Sequence, residues 1–413
     1  MNTDTILTSQ EIIGTEKQFG AHNYAPIQVV LSRGEGVSVW DVEGRHYYDF
    51  LSAYGAVNQG HCHPAIVAAM IEQAGRLTLT SRAFYNDQLG IAEEYICKCF
   101  GYDKSLFMNS GVEAVETALK LARKWGYMKK KIPADKSVIV VVEGNFHGRT
   151  TGVISFSSDP DVKNGFGPFM QGYEMIPYNN ADAFEEVLAR EPNICAILIE
   201  PIQGEAGVIV PADGYIRRIS ALCQEYNVLL MADEIQSGLG RTGKMLACEY
   251  DEVTPDVLIL GKALSGGMLP VSAVLANDGV MLCFLPGEHG STYGGNPLAS
   301  AVSVAALEVI RNEKLAENSY SMGIVFRQRM NELMSLRPDL VKAVRGKGLL
   351  NAIDIIPTAD GLTAMDVCIR LKQAGLLAKP THQHTIRFSP PLIITRKQLN
   401  ECCDIIQKVI LEF

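Results

Sequence analysis

The middle of the chain alternates short, wholly apolar runs with helical patterns, and this alternation restricts the possible folds more than any other feature. The apolar runs are Val138–Val142, Ala196–Ile199, Val228–Ala232, Val257–Leu260 and Val271–Leu275. They are rich in Val, Ile and Leu and show no polar alternation, which is typical of strands buried on both faces. Strands separated by helices indicate a mainly parallel sheet between helices, and such sheets bind ligands beyond the carboxyl ends of their strands.

Helical patterns lie before and between these runs. The stretch Gly111–Lys131 carries small and apolar residues on one face, and Asn109 and Ser110 before it are residue types that cap helices. A second helix is predicted over Tyr215–Tyr226. The region therefore predicts an α/β fold.

The two ends of the chain show a different pattern. Helix-like stretches and strand candidates alternate after about residue 310, at Leu315–Leu336, Gly348–Ile355, Ala364–Ala374 and Thr385–Phe388. A hairpin pattern covers Val37–Phe50, with a Glu-Gly pair at its turn. Because 413 residues are many for one core, we predict a large domain over residues 51–310 and a small α+β domain over 311–413. Residues 1–50 are expected to pack with the small domain.

Composition and charge exclude several classes of function. Hydrophobic residues make up 47% of the chain and charged residues 20%, and the formal net charge is -9. This acidic balance argues against a nucleic-acid partner, which favours a basic face. No apolar stretch reaches membrane-spanning length, and Met1–Gly14 has the pattern of neither a signal peptide nor a transit peptide. We expect a cytosolic protein with no nucleic-acid or membrane partner.

The cysteines and histidines lack the spacing of a disulfide framework or a metal site. Ten cysteines are scattered along the chain, which predicts reduced thiols and leaves a redox-regulatory pair as an alternative. His61-Cys62-His63-Pro64 has the appearance of part of a metal cluster, but a zinc site needs three or four ligands and no companion motif is present. We predict a turn before a helix there, and no metal.

An acid and a lysine each follow one of the apolar runs. Asp233 follows Val228–Ala232, and Lys262 follows Val257–Leu260. Burial lowers the pKa of a lysine and makes its amine a nucleophile that can form a Schiff base. In a pyridoxal-phosphate site an aspartate faces the pyridine nitrogen, and the protonated ring withdraws electrons from the substrate. Lys262 alone is as well explained by a side chain that reaches solvent, but the pair favours a pyridoxal-phosphate site.

The opening of the first predicted helix is a candidate phosphate site. Ser110-Gly111-Val112 stands where a helix offers free N–H groups and the positive end of its dipole. Gly111 permits a close approach of the backbone. Helix openings with Ser and Gly are common, so this motif is weak without the Asp233 and Lys262 pair.

A glycine-rich stretch imitates a dinucleotide-binding motif. Gly238-Leu239-Gly240-Arg241-Thr242-Gly243 matches G-x-G-x-x-G. That motif must open a long helix directly after a strand, whereas this stretch begins several residues later and no long amphipathic helix follows. A glycine-rich active-site loop is the better prediction, and an oxidoreductase that binds a nucleotide is the alternative from another class of function.

The segments Asp233-Glu234-Ile235-Gln236 and Gly261-Lys262-Ala263 resemble the class III aminotransferases, a family of fold-type-I pyridoxal-phosphate enzymes. The resemblance runs from about residue 20 to the C-terminus. Its other supporting segments are residues 20–24, 54, 57–64, 144–150, 200–205, 290–297 and 387–391. It implies a large domain with a mainly parallel sheet of the seven-stranded type between helices, plus a small α+β domain built from both chain ends.

The resemblance also implies which residues bind pyridoxal 5'-phosphate. Lys262 would hold the cofactor covalently and then carry protons, and Asp233 would pair with the ring nitrogen. Further contacts to the phosphate, the ring faces and the 3-hydroxyl are expected from Ser110, Gly111, Val112, Phe146, His147, Glu200, Ile235 and Gln236. Ser291 and Thr292 would complete the site of a second copy in a homodimer. His147 departs from the ornithine branch of the family, some members of which carry tryptophan there.

Five residues are implied in substrate binding. Arginine binds carboxylates in a bidentate manner, so Arg149 would hold the distal carboxylate, helped by Tyr24 when ornithine is bound. Arg387 would hold the carboxylate next to the keto group of 2-oxoglutarate. Glu205 would pair with Arg387 while ornithine is bound. Tyr24 and Tyr54 point to the ornithine branch.

The expected reaction is a ping-pong transfer of the terminal amino group of ornithine to 2-oxoglutarate, giving glutamate 5-semialdehyde and glutamate. Acetylornithine and 4-aminobutyrate are the alternative amino donors within the family. A catalytically silent relative with a binding role is a further alternative, which the intact pair of Asp233 and Lys262 disfavours.

Overall fold

The computed structural model describes residues 7–358 and 361–413, so the first six residues of the stretch Met1–Gly14 lie outside the described residues. Helix α1 (Ser9–Phe19) begins with a capping box between Thr8 and Glu11. It is followed by three strands, β1 (Leu31–Glu35), β2 (Ser38–Asp41) and β3 (His46–Asp49). Strands β2 and β3 pair antiparallel, which confirms the predicted hairpin.

The central sheet has seven strands. These are β4 (Lys104–Met108), β5 (Val138–Val142), β6 (Tyr173–Ile176), β7 (Ile194–Ile199), β8 (Leu229–Asp233), β9 (Val257–Leu260) and β10 (Ser272–Ala276). Their order across the sheet is β4-β10-β9-β8-β7-β5-β6. The pairs from β6 to β9 are parallel, whereas β10 is antiparallel to both β4 and β9. The mainly parallel sheet is confirmed, and all five predicted strands belong to it.

Helices cover both faces of this sheet. They are α3 (Pro64–Ala74), α4 (Leu89–Phe100), α5 (Gly111–Met128), α6 (Thr151–Ile154), α7 (Ala181–Arg190), α8 (Tyr215–Glu225), α9 (Asp278–Met281) and α10 (Pro297–Asn312). The short element α2 (Ser52–Gly55), which precedes α3, is a left-handed turn in which Ser52, Ala53 and Tyr54 have positive φ. Strand β7 shows why its sequence is apolar throughout. Ala196 and Leu198 pack in the core beneath α5, whereas Ile197 and Ile199 pack in the core beneath α7 and α8.

The C-terminal part forms a smaller unit. It contains α11 (Leu315–Leu336), β11 (Val341–Lys347), β12 (Leu350–Ile355), α12 (Ala364–Gln373), β13 (Leu376–Leu377), β14 (Lys379–Thr381), β15 (Thr385–Phe388) and α13 (Arg396–Leu411). Strands β11, β12, β15 and β14 form one sheet, and β13 joins the sheet of β1, β2 and β3 by pairing parallel with β3. Both chain ends therefore contribute to this part of the molecule, while the residue boundaries given for the domains stay a prediction.

The turn His61-Cys62-His63 precedes helix α3, which begins at Pro64. His61 Nε2 lies 2.7 Å from an Asp49 carboxylate oxygen, and His63 Nε2 lies 2.9 Å from a Glu313 carboxylate oxygen. Each histidine thus serves a different contact. Within the described ranges, no group of three or more His, Cys, Asp or Glu residues could hold a metal ion, and no helix is long and apolar enough to cross a membrane.

The glycine-rich stretch 238–243 is a buried junction. The Arg241 guanidinium is fully buried and donates hydrogen bonds to Asn58 Oδ1 at 2.5 and 3.1 Å, to the Leu349 carbonyl at 3.0 Å and to the Pro390 carbonyl at 2.6 Å. It therefore ties the chain before α3 to two segments of the C-terminal unit. None of the six residues lines the candidate cavity described below, so the prediction of an active-site loop is corrected.

Helix α11 packs closely on the chain beside this junction. A Cβ atom at Gly323 would lie 1.8 Å from the Gly348 carbonyl oxygen. Because this neighbour is a backbone atom, no side-chain rotation can relieve the clash. We expect Gly323→Ala to lower the free energy of unfolding by at least about 2 kcal/mol through overpacking. Urea unfolding measures this.

Gly14→Ala is the matched control, since Gly14 also lies within a helix and a Cβ atom there would have no neighbour within 4 Å. It is expected to be neutral or slightly stabilising. Equal stability of the two variants would show that α11 can shift away from Gly348.

Candidate active site

The carboxyl ends of β8 and β9 bring Asp233 and Lys262 to one edge of the sheet. Asp233 is the last residue of β8 and pairs in register with Ile259 of β9, three residues before Lys262. Lys262 opens a short 3-10 turn with φ +43°, a left-handed conformation that is uncommon outside glycine and often marks a functional site. Both side chains line a cavity of about 290 Å³.

Two hydrogen bonds fix the Asp233 carboxylate. His147 Nδ1 lies 2.7 Å from Oδ2, and the Ile235 backbone N–H donates to Oδ1 at 3.0 Å. Burial would lower the pKa of His147, but the hydrogen bond and the charge of Asp233 outweigh it and raise that pKa. The pair is therefore a buried, hydrogen-bonded histidine and aspartate, with the Asp233 side chain bordering the cavity.

The amine of Lys262 is shifted towards its neutral form. Burial lowers the pKa of Lys262, and the negative charges of Glu205 and Asp233 oppose that shift only in part. A neutral amine is the nucleophilic form of lysine. The cavity thus holds a reactive amine near a fixed carboxylate.

Glu200 is a third carboxyl group at this edge. It is buried, and its oxygens accept hydrogen bonds from the backbone N–H groups of Phe146 at 2.9 Å and Gly204 at 3.4 Å. Burial raises its pKa to about 7, with the charge of His147 opposing and that of Asp233 adding to the shift. By contrast, Glu234 is buried away from the cavity, where it accepts hydrogen bonds from Ser237 and Cys248.

The opening of helix α5 borders the cavity. Ser110 is the N-cap and forms a capping box with Glu113, which leaves the N–H groups of Gly111 and Val112 as the first of the helix. A Cβ atom at Gly111 would lie 3.1 Å from Ile235, so the glycine keeps this end of the cavity open. The helix opening can therefore bind a phosphate.

Apolar and amide side chains form the walls of the cavity. Phe146 and Ile235 both line it, and the Ile235 side chain packs against Gly111 and Gly261. Gln236 donates to the Tyr54 carbonyl at 3.0 Å, while its Oε1 is buried with no hydrogen-bond partner in the described part of the chain. This oxygen lies against Gly204, where a Cβ atom would be 1.4 Å from it.

Glu205 and Arg387 form an ion pair beside Lys262. Arg387 Nη1 donates to Glu205 Oε1 at 2.6 Å, and Gln236 Nε2 donates to the same oxygen at 3.1 Å. Arg387 is 2% exposed and Glu205 borders the cavity. Burial would raise the pKa of Glu205, but Arg387 and Gln236 hold it below its ordinary value. The two residues predicted to pair are thus in contact.

The two predicted tyrosines, Tyr24 and Tyr54, line a second cavity, and Tyr54 packs against Arg387. The Arg387 guanidinium carbon is 5.3 Å from the centroid of the Tyr54 ring. Tyr24 and Tyr54 both line a neighbouring cavity of about 390 Å³. Lys379 also lines it and donates to Tyr54 Oη at 3.0 Å. Sequence patterns do not identify Lys379, because its strand has only three residues and therefore shows no periodicity.

Arg149 and the segment around Ser291 lie outside the main cavity. Arg149 is exposed, with its guanidinium carbon 5.6 Å from the centroid of the Phe146 ring, which itself lines the cavity. Ser291 Oγ accepts a hydrogen bond from Asn109 Nδ2 at 2.9 Å, and Thr292 is exposed. Neither Ser291 nor Thr292 lines the cavity of its own chain.

A lysine and an aspartate at the ends of adjacent strands, facing a helix opening across a cavity, define a pyridoxal-phosphate enzyme of fold type I. The family profile described as "Aminotransferase class-III" matches residues 19–410. The chain belongs to this family, so it is a pyridoxal-phosphate-dependent aminotransferase.

Three similar proteins illustrate the relationship. The mitochondrial ornithine aminotransferase of Drosophila melanogaster is 61% identical, and the alignment covers 98% of this chain and 92% of the relative. The ornithine aminotransferase structure of Toxoplasma gondii, which has partial occupancy of PLP at its active site, has a TM-score of 0.96 and 46% identity, covering 99% and 95%. The acetylornithine aminotransferase structure of Elizabethkingia anophelis has a TM-score of 0.91 and 58% identity, covering 98% and 99%.

The residues of this cavity fit the cofactor. The N–H groups of Gly111 and Val112 suit its phosphate, and the open space that a side chain at Gly111 would narrow leaves room for it. The Asp233 carboxylate suits the ring nitrogen, and the amine of Lys262 suits its aldehyde. Gln236 borders the same space.

Glu200 leads to a prediction on the pH dependence of stability. Its pKa is about 7 in the folded protein against an ordinary 4.5, so between these values the folded state binds more protons than the unfolded state. The contribution of Glu200 to the free energy of unfolding is fully present below pH 4.5 and is lost as the pH rises through about 7. From pH 5 to pH 8 we expect the cofactor-free protein to lose roughly 2–3 kcal/mol more than its Glu200→Gln variant.

Urea unfolding at pH 5 and pH 8 measures this difference. Glu225→Gln, at an exposed glutamate at the end of α8, is the control and should follow the wild type. If Glu200→Gln has the same pH dependence as the wild type, the carboxyl group of Glu200 does not titrate near neutral pH.

Proposed function

We propose that this aminotransferase transfers the terminal amino group of ornithine to 2-oxoglutarate by a ping-pong mechanism. The observation that carries the proposal is the ion pair between Glu205 and Arg387, 2.6 Å apart beside Lys262. The reacting carbon of ornithine carries no carboxylate, whereas the reacting carbon of 2-oxoglutarate does. The enzyme must therefore bind a carboxylate next to the reacting carbon in one half-reaction and not in the other. An arginine with a neighbouring glutamate can do both. The names of the Drosophila and Toxoplasma relatives support the same donor.

The chain's own residues would divide the work as follows. When bound, the cofactor supplies a ring that accepts electrons from the substrate carbon. Asp233, fixed by His147, would hold the proton on the ring nitrogen, and the helix opening at Gly111 would hold the phosphate. Lys262 would take a proton from one carbon and return it to another, which suits an amine whose pKa is lowered by burial.

The substrate-facing residues would act at the other end. Arg387 would hold the carboxylate next to the keto group of 2-oxoglutarate once Glu205 moves aside. Tyr24 and Tyr54 would face the distal end of ornithine. Arg149 would reach the distal carboxylate from its exposed position beside Phe146.

We also infer a homodimer in which Ser291 and Thr292 complete the neighbouring site. The support is that Thr292 is exposed and does not line the cavity of its own chain. The cytosolic location stays a prediction, since the Drosophila relative is named as mitochondrial.

The donor is tested by following the first half-reaction in a single turnover. We expect ornithine to react at least about tenfold faster than acetylornithine or 4-aminobutyrate at subsaturating concentration, as judged from the absorbance of the bound cofactor. Lys262→Ala should abolish both the reaction and the visible band of the lysine-bound cofactor. A higher rate with acetylornithine would place the chain with the Elizabethkingia relative.

Glu205→Ala should change the choice between ornithine and glutamate. Without Glu205, Arg387 is a free cation that attracts the carboxylate next to the reacting amine of glutamate, a group that ornithine lacks at that position. We expect the ratio of the glutamate rate to the ornithine rate to rise at least about tenfold, or roughly 1.4 kcal/mol, with the ornithine rate unchanged or lower. Single-turnover absorbance with each donor measures the ratio.

The control is Glu185→Ala, which breaks a 2.6 Å pair with Arg218 far from the cavity and should leave the ratio unchanged. An unchanged ratio in Glu205→Ala would mean that the glutamate is only a loop residue.

A further inference from the structure

Lys379 contacts a predicted substrate residue and has been given no role so far. Its Nζ donates to Tyr54 Oη at 3.0 Å and lies 5.5 Å from the centroid of the Tyr54 ring and 6.0 Å from that of Tyr24. Lys379 begins strand β14, where it is paired in register with Arg387 of β15. The sheet therefore places the two cations side by side against the same tyrosine.

Tyr54 is fixed from three sides. Gln236 donates to its carbonyl at 3.0 Å, Arg387 packs over its ring and Lys379 contacts its hydroxyl. Its backbone has φ +61°, a left-handed conformation that costs on the order of 1–3 kcal/mol outside glycine and persists only where the surroundings hold it. The position of the hydroxyl oxygen is thus set by the fold.

The contact with Lys379 also sets the direction of the hydrogen bond. An ammonium has three donors and no acceptor, so Tyr54 Oη must accept from Lys379. The hydroxyl hydrogen then has to find an acceptor elsewhere, and none lies within hydrogen-bond distance among residues 7–358 and 361–413. A hydroxyl in this arrangement is a donor facing the cavity that Tyr24, Tyr54 and Lys379 line.

We propose that Lys379 is a positioning residue that makes Tyr54 a hydrogen-bond donor to the carboxylate of the amino donor. This rests on the proposed function, because it assumes a donor with a carboxylate remote from its reacting amine. Lys379 places a positive charge beside Tyr54 Oη, whereas the charge of Arg387 is paired with Glu205, so this side of the site suits the carboxylate of ornithine. Lys379 acts through Tyr54 and need not touch the substrate.

The first test compares three ligands that differ in one charge. Ornithine has the carboxylate and both amines, 5-aminopentanoate lacks the amine next to the carboxylate, and 1,4-diaminobutane lacks the carboxylate. In Lys379→Met, the half-saturating concentrations of ornithine and 5-aminopentanoate should rise about tenfold, with maximal rates within about twofold of the wild type. The constant for inhibition of the ornithine half-reaction by 1,4-diaminobutane should not change.

Further variants separate positioning from a structural role. Lys379→Arg keeps a cationic donor and should restore most of the affinity for the carboxylate ligands. Lys347→Met is the matched control, since Lys347 lies 4.5 Å from the Tyr250 ring and lines neither cavity of the site. It should leave all three constants unchanged.

A second test asks whether Lys379 acts through the hydroxyl. In a Tyr54→Phe background, Lys379→Met should have little further effect, because the two changes remove one interaction. Additive losses would mean that Lys379 binds the carboxylate directly, and equal losses for the diamine would mean a general disturbance of the site. Either result overturns the proposal. If the wild type does not use ornithine, the proposed function is wrong, but the role of Lys379 can be tested separately. In that case inhibition by 5-aminopentanoate of the reaction with the donor that is used should be weaker in Lys379→Met than in the wild type.

Discussion

The site depends on the parallel pairing of β8 with β9. Parallel neighbours end at the same edge of a sheet, so a residue at the end of one strand meets a residue just past the end of the next. Here that register brings Asp233 and Lys262 to one cavity although they are 29 positions apart in the sequence. Helix α5 opens at the same cavity and adds its N–H groups. The remaining site residues are arranged around this edge.

The charges around this edge compensate one another closely. His147 is paired with Asp233 and Arg387 with Glu205, and each pair is largely buried. An unpaired charge in such a place is costly, whereas paired and hydrogen-bonded charges are tolerated. Lys262 has no partner in the salt bridges found among the described residues, and burial lowers its pKa. Burial without a salt-bridge partner therefore shifts the amine of Lys262 towards its neutral form.

Sequence patterns predicted the buried strands well and the edge strands poorly. The bounds of β5 and β9 match their apolar runs, because these strands are buried on both faces. Strands β4 and β6 were missed, since each begins with partly exposed residues and mixes polar with apolar side chains. The run that became β10 was identified as a strand, but an apolar run carries no information on direction, and β10 is antiparallel to β9.

The site residues divide in a similar way. Asp233 and Lys262 follow strands that periodicity can locate, so the sequence alone pointed to them. Tyr54, Glu205 and Arg387 were expected only from family resemblance, because their meeting depends on contacts between segments distant in sequence. Lys379 was missed since both its strand pairing and its tyrosine partner are tertiary features.

Arg241 connects the segment that contains Tyr54 to the segment that contains Arg387, although the two are distant in the sequence. Its guanidinium is fully buried, and burial lowers its pKa to about 9, with the charge of Asp49 opposing and that of Arg387 adding to the shift. A buried cation is weak evidence for stability in itself. Its four hydrogen bonds nevertheless join Asn58, four residues after Tyr54, to the Pro390 carbonyl, three residues after Arg387. Since a planar guanidinium accepts only a narrow range of partner positions, this junction restricts the distance between the two substrate-facing residues.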